Sequence, residues 1–411
     1  MNSLKISGFN INSKKKIVIS GSKSESNRVL ILKYLFKSDV IIDNLSNSDD
    51  TKVLLKALEN QTDIIDIHHA GTAMRFLTSL FAVTNKKNII LTGSSRMQQR
   101  PVGELVDSLK RLGADIIYEK EIGYPPLRFN GYNQKNKLIE LRSDVSSQFA
   151  SSLILVGPYL SDGLQIKLVG NIFSKPYILL TCEIMKRFGF SCVINNNEIK
   201  IEPNKKLSIK SYSVESDWSS ASYLYSIVAL SGVELNLSSF KSNSLQGDSK
   251  LSKIYENFGV ETYFKNDEII LKRSKSHRMK RFIELDLIEN PDLAQTIIVT
   301  CLGLSIHTKL TGLNTLKIKE TDRLVALKNE ISKFNADVII DGQSIEIKNF
   351  PKTLPENIEI DTYNDHRMAL AFAPLSVLVK LVINDYFVIS KSFPEYWAIL
   401  QKLNFNLEFD N

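Results

Sequence analysis

Apolar residues recur at helical spacing in short stretches of this chain. Each stretch ends at a Gly or Asn and gives way to alternating apolar and polar residues. In the clearest one, residues 105–112 read as an amphipathic helix, Gly113 breaks it, and Ala114-Asp115-Ile116-Ile117 reads as a strand. The same break returns at Phe188-Gly189, Phe258-Gly259, Phe334-Asn335 and Leu403-Asn404, at intervals of 69 to 76 residues. Three breaks lead into hairpins: residues 191–201 turn at Asn195-Asn196-Asn197, 260–271 at Lys265-Asn266-Asp267, and 337–347 at Asp341-Gly342. Asn, Asp and Gly suit such turns because they tolerate positive φ. A weaker copy follows a helix over 50–58, near Glu59-Asn60. The pattern predicts about six α/β or α+β modules, three to a domain.

A second pattern lies at the starts of the helices. Many open on a polar or charged tripeptide and then turn apolar: Lys23-Ser24-Glu25, Ala70-Gly71-Thr72, Ser146-Ser147-Gln148, Ser174-Lys175-Pro176, Asp217-Trp218-Ser219, Pro291-Asp292, Glu320-Thr321-Asp322 and Asp365-His366-Arg367. Simple capping explains any one of them. Taken together they suggest an anion trap, because helix N-termini present free N–H groups and positive dipole ends.

At 411 residues the chain exceeds one comfortable hydrophobic core, which again predicts two domains. Hydrophobic residues make up 43% and charged residues 24%, a balance that excludes an intrinsically disordered chain. No apolar run approaches the ~20 residues of a membrane helix. Residues 1–10 lack the basic-then-apolar pattern of a signal segment. Cys182, Cys192 and Cys301 are odd in number and widely spaced, against a disulfide framework and for a reducing compartment. They read as buried small hydrophobes. The five histidines form no Cys/His cluster at metal spacing. The expectation is a cytoplasmic, soluble protein with no membrane partner. The formal charge of +7 comes from lysines spread through the chain, and Lys14-Lys15-Lys16 is too short for a nucleic-acid tail. Small anionic substrates are a better use of the charge than nucleic acid.

Ser20-Gly21-Ser22-Lys23-Ser24-Glu25-Ser26-Asn27-Arg28 resembles the amino-terminal signature of the 5-enolpyruvylshikimate-3-phosphate synthase family. So do Ala70-Gly71-Thr72-Ala73-Met74-Arg75, the stretch from Arg96-Met97 to Arg100-Pro101, and Val145-Ser146-Ser147-Gln148-Phe149. The series continues with Ser174-Lys175-Pro176-Tyr177, Asp217 with Ser219-Ser220-Ala221-Ser222-Tyr223, Gln246-Gly247-Asp248 and Pro291-Asp292. It closes with Lys319-Glu320-Thr321-Asp322-Arg323, Tyr363-Asn364-Asp365-His366-Arg367-Met368-Ala369 and Lys391-Ser392-Phe393-Pro394. These motifs fall in family order along essentially the whole chain. The resemblance implies an α/β, two-lobed enolpyruvyl-transferase-like fold (an inside-out α/β barrel), with three β/α units in each lobe. It also implies that the chain crosses between lobes twice. The first lobe is then 22–215 and the second 1–21 with 216–411, with hinges near 20–22 and 214–217. Gly21 suits a hinge because it can absorb φ/ψ change.

The family transfers the enolpyruvyl group of phosphoenolpyruvate to the 5-hydroxyl of shikimate 3-phosphate through a tetrahedral ketal and releases phosphate. The resemblance implies that Lys23, Ser24, Arg28, Ser146, Ser147, Gln148, Ser174, Tyr177, Asp292 and Lys319 hold shikimate 3-phosphate. It implies that Lys23, Gly71, Arg75, Arg100, Gln148, Arg323, Arg367 and Lys391 hold phosphoenolpyruvate. Arg forks suit carboxylate and phosphate because they bind bidentately. Asp292 resembles the acceptor of the hydroxyl proton and Glu320 the donor to the methylene carbon, while Lys23 bridges hydroxyl and phosphate. His366 either assists proton movement or orients Arg367. No metal or organic cofactor is expected, because phosphoenolpyruvate carries its own leaving group, and the protein is expected to be a monomer.

Some positions depart from the commonest family pattern. His69 stands where Asn is common, Phe76 where Pro is common, Trp218 in place of a small residue, and Thr315-Leu316 in place of Asn-Trp. Phe76 is expected to alter packing behind Gly71 and to shift sensitivity to glyphosate, the inhibitor of this family. Two rival readings remain. One is enolpyruvyl transfer to UDP-N-acetylglucosamine, whose enzymes usually place a reactive Cys where Ser95 stands here. The other is a non-catalytic phosphometabolite-binding protein, a reading weakened by the presence of both Asp292 and Glu320.

Overall fold

The computed structural model describes all of the chain except residues 1, 10–13, 61, 85–86, 143–145, 275, 277 and 411. Val145, which opens one of the motifs above, therefore lies outside the described residues. The chain divides into an inserted unit, Gly21–Val214, and a terminal unit made of Met1–Ser20 and Glu215–Asn411.

The inserted unit carries helices α1 (Lys23–Leu35), α2 (Asp49–Glu59), α3 (Gly71–Val83), α4 (Gly103–Leu112), α5 (Ser147–Val156) and α6 (Lys175–Arg187). One module runs strand, helix, parallel strand, helix, hairpin. Strand Ile64–Asp66 leads through α3 to Ile89–Thr92, and α4 then leads to the pair Ala114–Tyr118 and Leu127–Tyr132. The next module repeats the order with Leu138–Arg142, α5, Leu164–Val169, α6 and the hairpin Cys192–Asn195 with Glu198–Ile201. Among the described residues the unit's third sheet is the parallel pair Ile41–Asp43 and Ser211–Ser213.

The terminal unit carries α7 (Trp218–Ser231), α8 (Leu251–Ile254), α9 (Ala294–Leu304), α10 (Arg323–Ser332), α11 (His366–Phe372) and α12 (Tyr396–Lys402). Its three sheets are four-stranded, and the chain start supplies a strand to two of them. Lys15–Val18 runs parallel to Leu235–Ser238, and Ser3–Phe9 lies between Lys380–Asn384 and Phe405–Asp410. One buried apolar cluster extends from Leu4 to Phe405.

All five strong breaks are left-handed: Gly113 (φ 113), Gly189 (φ 89), Gly259 (φ 76), Asn335 (φ 58) and Asn404 (φ 62). That conformation ends a helix by reversing the backbone into the strand that follows. The weak copy differs. Asn60 is extended (φ −68), and α2 leads into the single strand Ile64–Asp66, with no hairpin. After Asn404 the strand Phe405–Asp410 likewise pairs with Ser3–Phe9 in place of a hairpin partner.

The first helix of a module is buried on nearly every side, and the second is amphipathic. Every residue of α3 and α11 is buried, whereas α4 buries Leu105, Val106, Ser108, Leu109 and Leu112 on one face. Helical periodicity marks only the second kind, which is why the sequence pattern found the helices before the breaks. Gly21 also has a local reason. Its φ is not left-handed, but a Cβ there would sit 1.7 Å from the Asn44 carbonyl oxygen, so a close backbone approach requires glycine. None of the helices among the described residues is long and apolar enough to cross a membrane.

Candidate active site

In the inserted unit the first two turns of α1, α3, α5 and α6 gather around Arg28. The chain reaches this point by capping: Ser22 Oγ accepts from Glu25 N–H at the start of α1, and Ser146 Oγ accepts from Gln148 N–H at the start of α5. Arg28 is buried in the second turn of α1. Its Nε donates to Thr181 Oγ1 (2.7 Å) and Nη1 to the Ser24 carbonyl (2.6 Å). Nη2 donates to Ser151 Oγ (3.0 Å) and to the Tyr177 carbonyl (3.2 Å). The Phe76 ring on α3 lies 5.3 Å from its Cζ, a cation–π contact. Every one of these acceptors is neutral, and burial pulls the guanidinium down to about 10.

Beside this post stand the more accessible side chains. Lys23 Nζ is 3.4 Å from Asp50 Oδ2, and Gln148 Nε2 donates to Thr72 Oγ1 (3.3 Å), tying the start of α5 to that of α3. Arg75 is buried and donates to the carbonyls of Gly71 (3.1 Å) and Pro101 (3.3 Å), which holds the Arg100-Pro101 loop over the start of α3. A Cβ on Gly71 would lie 2.6 Å from Arg100 Nη1, so the missing side chain leaves room for that guanidinium. Ser174 caps α6 with a left-handed backbone (φ 53), three residues before Tyr177. Two departures from the family pattern find partners here: Phe76 on Arg28, and His69 Nδ1 within 2.9 Å of Ser94 Oγ.

The terminal unit is built around Arg323, the first residue of α10, and here the partners are carboxylates. Arg323 Nε and Nη2 donate to the two oxygens of Asp365 (2.6 and 3.3 Å). Its Nη1 donates to Asp292 Oδ1 (3.0 Å) and Nη2 also to Glu320 Oε2 (2.9 Å). The other Glu320 oxygen accepts from Lys391 Nζ (2.5 Å). Asp292 is further approached by Lys319 (3.4 Å) and by Arg367 Nη2 (3.3 Å), and Arg367 Nη1 donates to the Asp292 carbonyl and the Tyr223 hydroxyl. His366 is buried with Nδ1 3.6 Å from Asp365 Oδ1. Four cations thus meet three carboxylates drawn from four separate stretches of chain.

The charges set one another. Burial pushes the Asp292 carboxyl up, but Arg367, Lys319 and Arg323 outweigh it and hold the group well below the usual carboxylate range. Burial disfavours the Arg323 charge as well, yet Asp365, Glu320 and Asp292 more than compensate and raise it above its ordinary value. Asp248 is buried nearby, accepting from the Ser219 hydroxyl and from Asn290 Nδ2 (3.2 Å). Burial and the Asp292 charge push it up. Trp218, the other large departure, is buried with its indole N–H donating to Glu215 Oε1 (2.8 Å). Among the described residues no group of three His, Cys, Asp or Glu side chains is arranged to hold a metal ion.

Residues 56–400 match the family described as EPSP synthase (3-phosphoshikimate 1-carboxyvinyltransferase). A relative of that name from Bacteroides fragilis is 42% identical over 406 residues, covering 96% of each chain. The chain belongs to the EPSP synthase family. Another 3-phosphoshikimate 1-carboxyvinyltransferase, from Shewanella woodyi, is 36% identical and covers 92% of this chain and 94% of its own. A solved EPSP synthase from Acinetobacter baumannii shares the fold, with a TM-score of 0.80 over the full length of both chains at 19% identity.

Against the EPSP synthase motifs, the residues singled out from sequence sit in two clusters, one per unit. Lys23, Ser24, Gly71, Arg100, Ser146, Ser147, Gln148, Ser174 and Tyr177 lie at or beside the helix starts around Arg28 and Arg75. Asp292, Lys319, Glu320, Arg323, His366, Arg367 and Lys391 form the second. Sequence reading missed the partners that hold them: Asp50 behind Lys23, Asp365 behind Arg323, and Asp248 behind Ser219. Asp50 was visible only as an acidic residue at a helix start and Asp365 as a motif residue at another, a position that capping explains by itself; Asp365 indeed accepts from Arg367 N–H (2.9 Å).

Proposed function

We propose that this member of the EPSP synthase family transfers the enolpyruvyl group of phosphoenolpyruvate to the 5-hydroxyl of shikimate 3-phosphate, as a cytoplasmic monomer without a cofactor. The observation that carries the reading is Glu320 held between Arg323 and Lys391, with Asp292 on the same arginine. Shikimate 3-phosphate is assigned to Lys23, Ser24, Ser146, Ser147, Gln148, Ser174, Tyr177, Asp292 and Lys319, with Arg28 fixing the helix starts that carry several of them. Phosphoenolpyruvate is assigned to Lys23, Gly71, Arg100, Gln148, Arg323, Arg367 and Lys391, with Arg75 fixing the Arg100 loop.

The ion pairs give the chemistry an order. An incoming phosphate and carboxylate compete with Glu320 for Arg323 and Lys391, and with Asp292 for Arg367 and Arg323. Each carboxylate that loses cations becomes a better proton acceptor. Asp292 then takes the proton of the 5-hydroxyl as its oxygen bonds to C2 of phosphoenolpyruvate, and Glu320, having taken a proton from solvent once its cations turn to the substrate, gives that proton to C3. The ketal collapses when C3 returns a proton to Glu320 and the C2–O bond to phosphate breaks, restoring the double bond, and the departing phosphate or solvent takes the proton from Asp292. Pairing in the resting protein thus answers why a carboxyl beside two cations can act as an acid: substrate charge replaces its own.

A coupled phosphate-release assay tests the reading. Release that requires both substrates is expected; tight binding of shikimate 3-phosphate with no release overturns it.

A further inference from the structure

α10 carries a second buried charge that no part of the chemistry above uses. Glu330 follows Arg323 by seven residues, two helical turns along the same face, and its side chain is fully buried. Its Oε2 accepts from the backbone N–H of Asp361 (3.0 Å) and pairs with Lys333 (2.8 Å), and its Oε1 accepts from the Tyr363 hydroxyl (2.7 Å). Asp361 is held again by Lys333 and by Asn384 Nδ2, both at 2.8 Å. The segment that starts there ends at Asp365, whose carboxylate grips Arg323. One helix therefore binds both ends of the 361–365 segment, through Glu330 at one end and Arg323 at the other.

That segment needs holding. Tyr363 (φ 53) and Asn364 (φ 55) are consecutive non-glycine residues in the left-handed region, where a side chain crowds its own backbone. Such a conformation persists where the surroundings over-determine it. Immediately beyond it come Asp365, His366 and Arg367, so the aim of Arg367 at Asp292 depends on the segment keeping this shape.

We propose that Glu330 is a positioning residue for the phosphoenolpyruvate side of the site, acting through Asp361 and Tyr363 to fix Asp365 and Arg367. It rests on the function proposed above, and the test separates the two. Wild-type turnover with both substrates comes first, and its absence counts against that function. With turnover present, Glu330→Gln, which turns an acceptor into a donor facing Asp361 N–H or Tyr363 O–H, is expected to raise KM for phosphoenolpyruvate about tenfold. KM for shikimate 3-phosphate should stay within about twofold. Tyr363→Phe should move the same constant less, and the double variant should be no worse than Glu330→Gln alone. Lys333→Met removes the ion pairs to Glu330 and Asp361 but leaves the Glu330 hydrogen bonds to Asp361 N–H and Tyr363 O–H, so it should lower Tm and move KM for phosphoenolpyruvate less than Glu330→Gln does. Hydrogen exchange of the 361–367 amides reads the clamp with no substrate present and should quicken in Glu330→Gln. If that variant misfolds, Tyr363→Phe carries the same readouts. Unchanged exchange, an unchanged KM for phosphoenolpyruvate in a folded variant, or an equal rise for both substrates would overturn the proposal.

Discussion

Each unit of this protein is organised by a buried arginine near the start of a helix, and the two arginines live in opposite surroundings. Arg28 is met by hydroxyls, carbonyls and an aromatic face, and its charge is held against the pull of burial. Arg323 is met by three carboxylates and holds its proton more firmly than in water. Neutral acceptors give Arg28 a fixed geometry with no exchangeable partner, which suits a post. Carboxylates give Arg323 partners that an incoming anion can replace, which suits a site that trades one set of negative charges for another.

The sharpest way to break this contrast is Arg323→Met. Removing the cation leaves the buried Asp365 and the half-buried Asp292 and Glu320 without their shared partner, a loss of about 3–5 kcal/mol for a broken buried pair. Urea unfolding followed by tryptophan fluorescence reads this unit alone, since Trp218 and Trp397, the two tryptophans of the chain, both lie in it. Turnover should fall below detection, and a stable, active variant would show that the carboxylates do not need Arg323.

Glu320→Gln comes next. It keeps the shape and removes the proton, so kcat should fall by about 10²–10⁴ while shikimate 3-phosphate affinity is retained. A near-native kcat would end the assignment of Glu320 as the acid.

Acid titration sharpens the electrostatic side. Asp292 has a depressed folded value, so its contribution is full above the ordinary aspartate value of about 4 and is lost as pH falls toward its own lower value. Tryptophan fluorescence should show the terminal unit weakening below about pH 4, and Asp292→Asn should flatten that slope. An identical slope in the variant would contradict the cation cluster as its cause.

Arg28→Met should be milder, about 1–3 kcal/mol for acceptors left without donors, and the loss should change little between pH 5 and pH 8 because its hydrogen-bond acceptors are neutral and Glu25 acts on it only through space. A strong pH dependence between those values would erase the contrast with Arg323. Smallest is Gly71→Ala, whose Cβ pushes against the mobile end of Arg100. About a fivefold rise in KM for phosphoenolpyruvate is expected, with stability little changed. No rise would mean that Arg100 can move without consequence.

Much of the fold was legible before any coordinates. The breaks at Gly113, Gly189, Gly259, Asn335 and Asn404 announce themselves because a left-handed residue after an amphipathic helix is a local requirement. The breaks failed at Glu59-Asn60, where no left-handed residue occurs and the strand that follows, Ile64–Asp66, pairs in parallel with Ile89–Thr92 across α3 instead of turning into a hairpin. α3 and α11 gave no periodic signal because they are buried all round. Motif residues fall in both clusters, but the motifs do not say which of a cluster's arginines is tied up by the protein itself. Glu330 was silent for the same reason, since a glutamate near the end of an amphipathic helix looks like a solvated one.

By itself the sequence determined the module, its repetition, the helix starts and the side chains that bring chemistry to them, since turn conformation, capping and periodicity act over a few residues. Tertiary structure decided how the charges stand. Whether Asp292 is a strongly held anion, whether Arg28 is a post, and what fixes the aim of Arg367 depend on groups brought within 4 Å from distant stretches and withdrawn from water. Coulomb energy and desolvation turn on those separations, and separation in space is what a linear order of residues leaves unspecified.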